Sequence, residues 1–180
     1  MGTQWLGEVG SGSLRSHAVA TKLAEDLSFS PLDGEPRALA ERLTTFHLAS
    51  VVLDPYTNES SWILKTAVRI LEDLRGSDAR VNFIVTAGVD DTRRFMGPLA
   101  DRFLVFSDAD RAIVKAMGLA ELPAFVFTRV DRDVIAAAQG WHARQWLEVA
   151  EAIAETTHWR APTIPAPGDP GPFAGSPALG

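Results

Sequence analysis

From residue 47 onward the apolar positions switch between a period near two and a period near four. Ala49–Leu53 (ASVVL) is a short β-branched run stopped by Asp54-Pro55, which predicts a buried strand running into a turn. In Ser61–Arg75, residues Ile63, Ala67, Ile70, Leu71 and Leu74 share one helical face and Gly76 closes the helix. Val81–Thr86 (VNFIVT) predicts a second strand, and Asp91–Asp101 a helix that Gly97-Pro98 kinks or splits. Phe103–Phe106 (FLVF) predicts a third strand. Ser107-Asp108-Ala109-Asp110 then resembles a capping box, with the Ser107 hydroxyl and the Asp110 carboxylate satisfying the first amides of a helix that carries Ile113, Val114 and Met117 and ends at Gly118. Ala124–Val130 and Val134–Gln139 flank Asp131-Arg132-Asp133, a loop short enough for an antiparallel hairpin. Gly140 breaks that run, and the last helix, Ala143 to Thr156, places Trp146, Leu147, Ala150, Ile153 and Ala154 inward. The order β-α-β-α-β-α-β-β-α implies parallel strands joined by right-handed crossovers, with an antiparallel hairpin at the end: an α/β fold whose mixed sheet is covered on both faces.

The two ends read differently. Gly10 to Ser13 form a loop, after which Ser13 caps a short expected helix bearing Leu14, Ala18, Leu23 and Leu27. A second short helix is expected from about Pro36 to Phe46, with Leu39, Leu43 and Phe46 at helical spacing. The glycines at 7, 10 and 12 do not make a phosphate-cradling GxGxxG. After Arg160 stand Pro162, Pro165, Pro167, Pro170, Pro172 and Pro177 with Gly168, Gly171, Gly175 and Gly180, and only Ile164, Phe173 and Leu179 are sizeable apolar anchors. That composition predicts a flexible tail, or else a docking peptide, because Pro-rich segments are stiff and bind at low entropic cost. The chain thus divides into an N-terminal extension with short helices (1–46), a central domain (47–158) and a Pro/Gly-rich tail (159–180).

Composition narrows the chemistry. The net charge is −6, with 17 basic against 23 acidic side chains, and the arginines form no stripe, so no nucleic-acid partner is expected. No apolar run approaches the roughly 20 residues that span a bilayer, and the first 17 residues lack a basic stretch followed by an apolar core. We therefore expect no membrane insertion and a cytoplasmic location. There is no cysteine, which removes disulfides, thiol nucleophiles and thiolate-ligated metals. His17, His47, His142 and His158 show neither HxxxH nor HExxH spacing, and Asp90-Asp91 and Asp108/Asp110 lack the further oxygens and glycine of a calcium loop. No cofactor and no metal are expected.

The element order resembles the thioredoxin-like fold, a three-layer sandwich, in the version with an extra αβ unit found in peroxiredoxins and TlpA-type thiol-disulfide oxidoreductases. Three segments carry the resemblance. Asp54-Pro55-Tyr56-Thr57-Asn58-Glu59-Ser60 stands where that family ends a strand and opens a helix with CxxC, Thr57 and Ser60 holding the cysteine places. Glu121-Leu122-Pro123-Ala124-Phe125 resembles the segment with a cis-proline before the hairpin, which implies that Pro123 faces the Thr57–Ser60 loop. Leu104 to Asp110, continuing to Met117-Gly118-Leu119, resembles the strand, D-x-D, helix and glycine that lead up to that proline. The resemblance implies thiol chemistry, and the residues withhold it. A hydroxyl has no accessible anion at neutral pH and no reversible S–S chemistry, so disulfide exchange and thiol peroxidase activity are excluded.

What outlasts the substitution is a surface. In redox-active members of the family the cis-proline loop offers a backbone edge that grips extended peptides, and such an edge needs no sulfur. The expected function is therefore a redox-inactive, non-catalytic protein that binds another protein or an extended peptide, as adaptor, assembly factor or chaperone. The expected surface comprises Tyr56, Thr57, Asn58, Glu59, Ser60, Trp62, Leu122, Pro123, Trp141 and His142. Some thioredoxin-like accessory proteins of hydrogenase maturation also lack the cysteine pair, so a chaperone for a metalloenzyme is one specific form. Alternatives are an enzyme or small-molecule binder using Thr57 or Ser60 with Asp54 or Glu59, and a subunit of a stable complex with its tail laid along a neighbour. A serine or threonine nucleophile needs a base within hydrogen-bond reach; the simpler expectation is that Thr57 or Ser60 caps the following helix and Glu59 complements its dipole.

Overall fold

The computed structural model describes residues 21–180. The loop at Gly10–Ser13 and the start of the expected helix at Ser13 lie outside the described residues. Leu23 and Leu27, assigned to that helix, instead flank a two-residue strand β1 (Thr21–Lys22) and a strand β2 (Ser28–Pro31). The expected helix from Pro36 to Phe46 is also corrected. Arg37–Ala38 is strand β3, paired with β2, and only Leu39–Arg42 makes one turn of helix, α1. Leu39 and Leu43 are still buried. Helical spacing over so short a span reports burial of one side, and the backbone of 28–38 gains more from pairing with the sheet edge than from local helical bonds.

From His47 to Thr157 the rest follows the predicted order, with two short strands, Glu121–Leu122 before the hairpin and Ser176–Pro177 in the tail, that the sequence did not predict. Strand β4 (His47–Leu53) leads to α2 (Asn58–Leu74), β5 (Ala79–Val85), α3 (Val89–Met96), α4 (Leu99–Arg102), β6 (Leu104–Ser107) and α5 (Ala112–Ala116). Gly97, at φ 53°, separates α3 from α4 where Gly97-Pro98 was expected to break the helix. Then come β7 (Glu121–Leu122), the hairpin β8 (Ala124–Thr128) and β9 (Asp133–Gln139), α6 (Ala143–Thr157) and β10 (Ser176–Pro177). Eight strands form one mixed sheet in the order β1-β9-β8-β4-β5-β6-β2-β3, while β7 pairs with β10. β4, β5 and β6 run parallel, and β8 returns antiparallel to β4.

Side-chain alternation along the central strands divides the core in two. Ala49, Val51, Leu53, Phe83, Val85, Phe125 and Phe127 pack with α2 and α6 on one face. Leu48, Val52, Ile84, Phe106 and Val126 pack with Phe29, Leu39 and the α5 residues Ile113 and Val114 on the other. The expected capping holds for Asp110, whose Oδ1 accepts the Ala112 amide at 3.2 Å, and is corrected for Ser107: its hydroxyl donates to the Ala87 carbonyl at 2.6 Å, and the buried carboxylate of Asp108 accepts the amides of Ile113 (3.0 Å) and Val114 (3.1 Å). Burial holds Asp108 above the ordinary carboxylate range despite those amides.

Residues 159–180 are not a free tail, nor do they need a neighbour to lie along: they run back over their own domain. The Trp159 indole lies against Gly76, where an added Cβ would come within 2.7 Å of the ring, and its Nε1–H donates to the Asp73 carbonyl at 2.9 Å. Asp169 accepts from Thr66 Oγ1 (2.9 Å) and pairs with Arg69 (2.8 Å), both on α2. Ile164 and Ala178 are buried. Counting apolar anchors alone missed these polar pins and backbone bonds, and the prolines lower the entropy that ordering must overcome.

At the start of β4, His47 Nδ1 accepts the Val130 amide at 3.1 Å, which requires an unprotonated ring nitrogen. Burial first, and Arg129 second, lower its pKa from the ordinary 6.5. A histidine depressed in the folded state contributes stability fully above its unfolded value and loses it as pH falls through the folded value. Urea unfolding of the wild type is therefore expected to lose stability below about pH 6.5 more steeply than His47→Gln; parallel pH profiles would refute this.

Candidate functional site

The centre of the site is the end of β4. Asp54 is buried there, and the Tyr56 amide and the hydroxyls of Thr57 and Ser60 fold back onto it. Asp54 Oδ1 accepts the Tyr56 amide at 3.0 Å, the Thr57 hydroxyl donates to the Asp54 carbonyl at 3.0 Å, and the Asp54 amide donates to Ser60 Oγ at 2.8 Å. Thr57 Oγ1 and Ser60 Oγ lie 3.4 Å apart. Thr57 does occupy the N-cap position of α2, but its hydroxyl makes no cap bond to that helix. The capping expectation is corrected: both hydroxyls brace the turn from β4 into α2.

The Val52–Ala124 pairing sets the next residues along each strand, Leu53 and Pro123, side by side at the sheet's end. The Leu122–Pro123 peptide is cis. Beside Asp54 stands Arg111, in the left-handed conformation (φ 58°) just before α5. Its Nη2 pairs with Asp54 Oδ2 at 3.0 Å, both side chains being largely buried, and its Nη1 donates to the Ala178 carbonyl in the tail. On the other side, Tyr56 donates its hydroxyl to Asp91 on α3. That hydrogen bond raises the Tyr56 pKa and lowers that of Asp91. A shallow hollow of about 240 Å³ lies there, lined by Pro55, Tyr56, Asp91, Arg94 and Phe95. A larger one, about 400 Å³, sits at the opposite end of the sheet against Phe46, Arg75 and Arg80.

The ten residues expected to form one surface separate by exposure. Tyr56 (66% exposed), Trp62 (54%), Asn58 and His142 face solvent, and Thr57 and Glu59 are half-buried. Ser60, Leu122, Pro123 and Trp141 are inside. Trp141 is 1% exposed, stands edge-on to Trp146 at 5.2 Å, and donates its Nε1–H to the Pro170 carbonyl at 2.8 Å. It cannot anchor a partner while the tail is in place; the expectation that it does is corrected. The covering element is the tail itself. Phe173 exchanges both backbone bonds with Trp141 (2.8 and 3.0 Å) and meets Trp62 edge-on at 5.5 Å. β10 pairs antiparallel with β7, Ser176 opposite Leu122 and Pro177 opposite Glu121.

Sequence reading missed Arg111, Asp91 and residues 173–178. Arg111 is one of many scattered arginines, and nothing local marks it. The tail left a trace in its glycines and those it meets: an added Cβ at Gly140 would lie 2.9 Å from the Gly175 amide nitrogen and the Phe173 carbonyl, and one at Gly175 would lie 2.8 Å from the Leu122 carbonyl. Among the described residues no cluster of three or more His, Asp or Glu could hold a metal ion, and no helix is long and apolar enough to cross a membrane.

No known family profile matches the chain, and no curated protein does. Solved structures do. The hypothetical protein SMc02350 from Sinorhizobium meliloti superposes with a TM-score of 0.64 at 18% identity, covering 89% of this chain and 93% of that one. The peroxidoxin BcpB from Mycobacterium tuberculosis gives 0.60 at 16% identity over 79% and 97%. DsbF from the same organism, in mixed oxidised and reduced forms, gives 0.58 at 16% over 74% and 96%. At such identities the likeness establishes the architecture.

Proposed function

We propose that this thioredoxin-like, cysteine-free chain binds another protein or an extended peptide without redox chemistry, as an adaptor, assembly factor or chaperone. One observation carries the reading. The positions corresponding to the cysteine pair are occupied by hydroxyls committed to bracing the Asp54 turn, while the rim around them keeps two large aromatics, Tyr56 and Trp62, in solvent. Exposed aromatics are the residue type on which protein contacts concentrate. The rival idea of a Thr57 or Ser60 nucleophile finds less support. Ser60 is buried with its oxygen accepting the Asp54 amide, the Asp54 carboxylate is paired with Arg111, and no described histidine hydrogen-bonds to either hydroxyl.

The test is affinity capture from an extract of the native host, read by quantitative mass spectrometry, comparing wild type with Tyr56→Ala/Trp62→Ala. Both side chains are exposed, so little stability is at stake. A discrete set of proteins depleted at least roughly tenfold in the variant, equivalent to about 1.4 kcal/mol of binding, supports the reading. Identical capture by the two chains overturns this surface.

A further inference from the structure

The edge beside the cis-proline already holds a peptide, and that peptide is the chain's own C-terminal segment. We infer that residues 173–178 are a tethered occupant of the partner site, and that the site's ligand is an extended, uncharged segment of another protein that reproduces their pattern: an aromatic residue, glycine two positions later, and an alanine-sized residue three beyond that. This rests on the peptide-binding reading above and adds both the ligand's chemistry and a reason the site is closed.

The seat is built for backbone. Gln139 Oε1 accepts the amides of Ala120 (2.7 Å) and Glu121 (2.9 Å), steadying β7 from one side. On the other side β10 adds itself as a strand, the Ala178 amide donates to the Ala120 carbonyl at 2.8 Å, and the Gly175 amide donates to the Glu121 carboxylate at 3.2 Å. This is strand addition to an otherwise unpaired edge, the recurring way in which extended peptides are bound. Specificity comes from three positions. Phe173 is half-buried against Trp62, Gly175 has no room for a Cβ over the Leu122 carbonyl, and Ala178 is 0% exposed in the core cluster beneath. Arg111 joins the occupant to the rest of the site, since one guanidinium holds both the Ala178 carbonyl and the Asp54 carboxylate.

The tether explains how the site is kept closed. The tail is pinned to α2 at Asp169 only four residues before Phe173, and a short linker holds its segment at an effective concentration of order millimolar. A free peptide of micromolar intrinsic affinity, competing against a tethered segment of the same affinity, would appear roughly a thousandfold weaker. A partner therefore engages either through several contacts at once or after the pins at Asp169 and Phe173 are released.

The experiment uses the full chain and a fluorescent synthetic peptide of residues 170–180, followed by anisotropy. Gly175→Val places side-chain atoms against the Leu122 carbonyl and expels the strand; Asp169→Asn/Phe173→Ser loosens the tail at its anchors before β10 and serves if the first variant does not fold. Hydrogen exchange at Leu122, which pairs with Ser176, reports release. The expected result is peptide binding by the released chains at least roughly tenfold tighter than by wild type, and weakened again when the peptide carries Val at its Gly175 position. Equal binding by wild type and released chains overturns the inference, as does a released edge that binds no peptide. A concentration-dependent dimer of the wild type also overturns it, because the occupant is then a second copy's tail. The peptide assay leaves Tyr56 and Trp62 unchanged and the capture experiment leaves the tail unchanged, so each reading can fail while the other stands.

Discussion

Replacing Trp141 with alanine is expected to destabilise the domain by about 3–5 kcal/mol, the usual cost of emptying a fully buried aromatic site. The indole is 1% exposed and packs edge-on against Trp146, which is itself buried and lies 5.2 Å from the Phe125 ring, so the cavity opens in the middle of the α6 face. Two further losses add to it. The Pro170 carbonyl loses its indole donor, and Phe173 loses the surface under which its backbone pairs. Urea unfolding measures the first effect, and limited proteolysis within residues 165–175 the second; both should change together. A loss below about 1 kcal/mol, typical of surface substitutions, would mean that Trp141 is not the keystone between tail and core that its contacts describe.

Arg111→Met is expected to cost roughly 3 kcal/mol, because it leaves the Asp54 carboxylate buried with the Tyr56 amide as its remaining side-chain hydrogen-bond partner. Methionine keeps the length and the left-handed backbone cost unchanged, which isolates the charge. Asp54→Asn alone leaves the guanidinium its Ala178 carbonyl but no countercharge. The two changes together should be less harmful than their sum, with a coupling energy of at least about 1 kcal/mol in a double-mutant cycle by urea unfolding. Additive effects would mean the pair is spectator chemistry. Because the same guanidinium holds Ala178, the Arg111 variant should also speed amide exchange at Ala178 and Leu122, whereas Asp54→Asn should affect the tail less.

Both predictions concern residues whose roles differ from those their sequence context suggests. Trp141 follows a strand-ending glycine and precedes a helix, at the end of the fold where the resemblance implied a partner surface; here Phe173 closes over it. Arg111 sits in a run of charges at a helix start, where solvent exposure is the ordinary outcome, yet it is drawn inward by a carboxylate 57 residues earlier in the chain. By contrast, the segment from Ala49 to Thr156 was legible element by element except for β7, whose two residues are a strand only because β10 pairs with them. Each strand and helix there buries a face whose period is local, and the parallel order follows from chain connectivity. The placement of Thr57 and Ser60 at the start of α2 was legible too, but the direction of their hydroxyls was not: whether they cap the helix or brace Asp54 depends on a turn geometry that the two residues do not encode by themselves.

Two properties of this protein were settled by its amino acids before any fold was considered. With no cysteine in its 180 residues, it carries no thiol for the chemistry its architecture hosts elsewhere. With alternating apolar periods from residue 47, it had to build a sheet covered on both faces. The N-terminal strands and the docked tail were invisible at that level, because their stability comes from partners far along the chain: β2 from β6, β10 from β7, Asp169 from Arg69. Local composition measures what a segment can bury alone. A segment that is short, polar or proline-rich is ordered by the unpaired edge or buried charge that awaits it, and those exist only once the domain has closed.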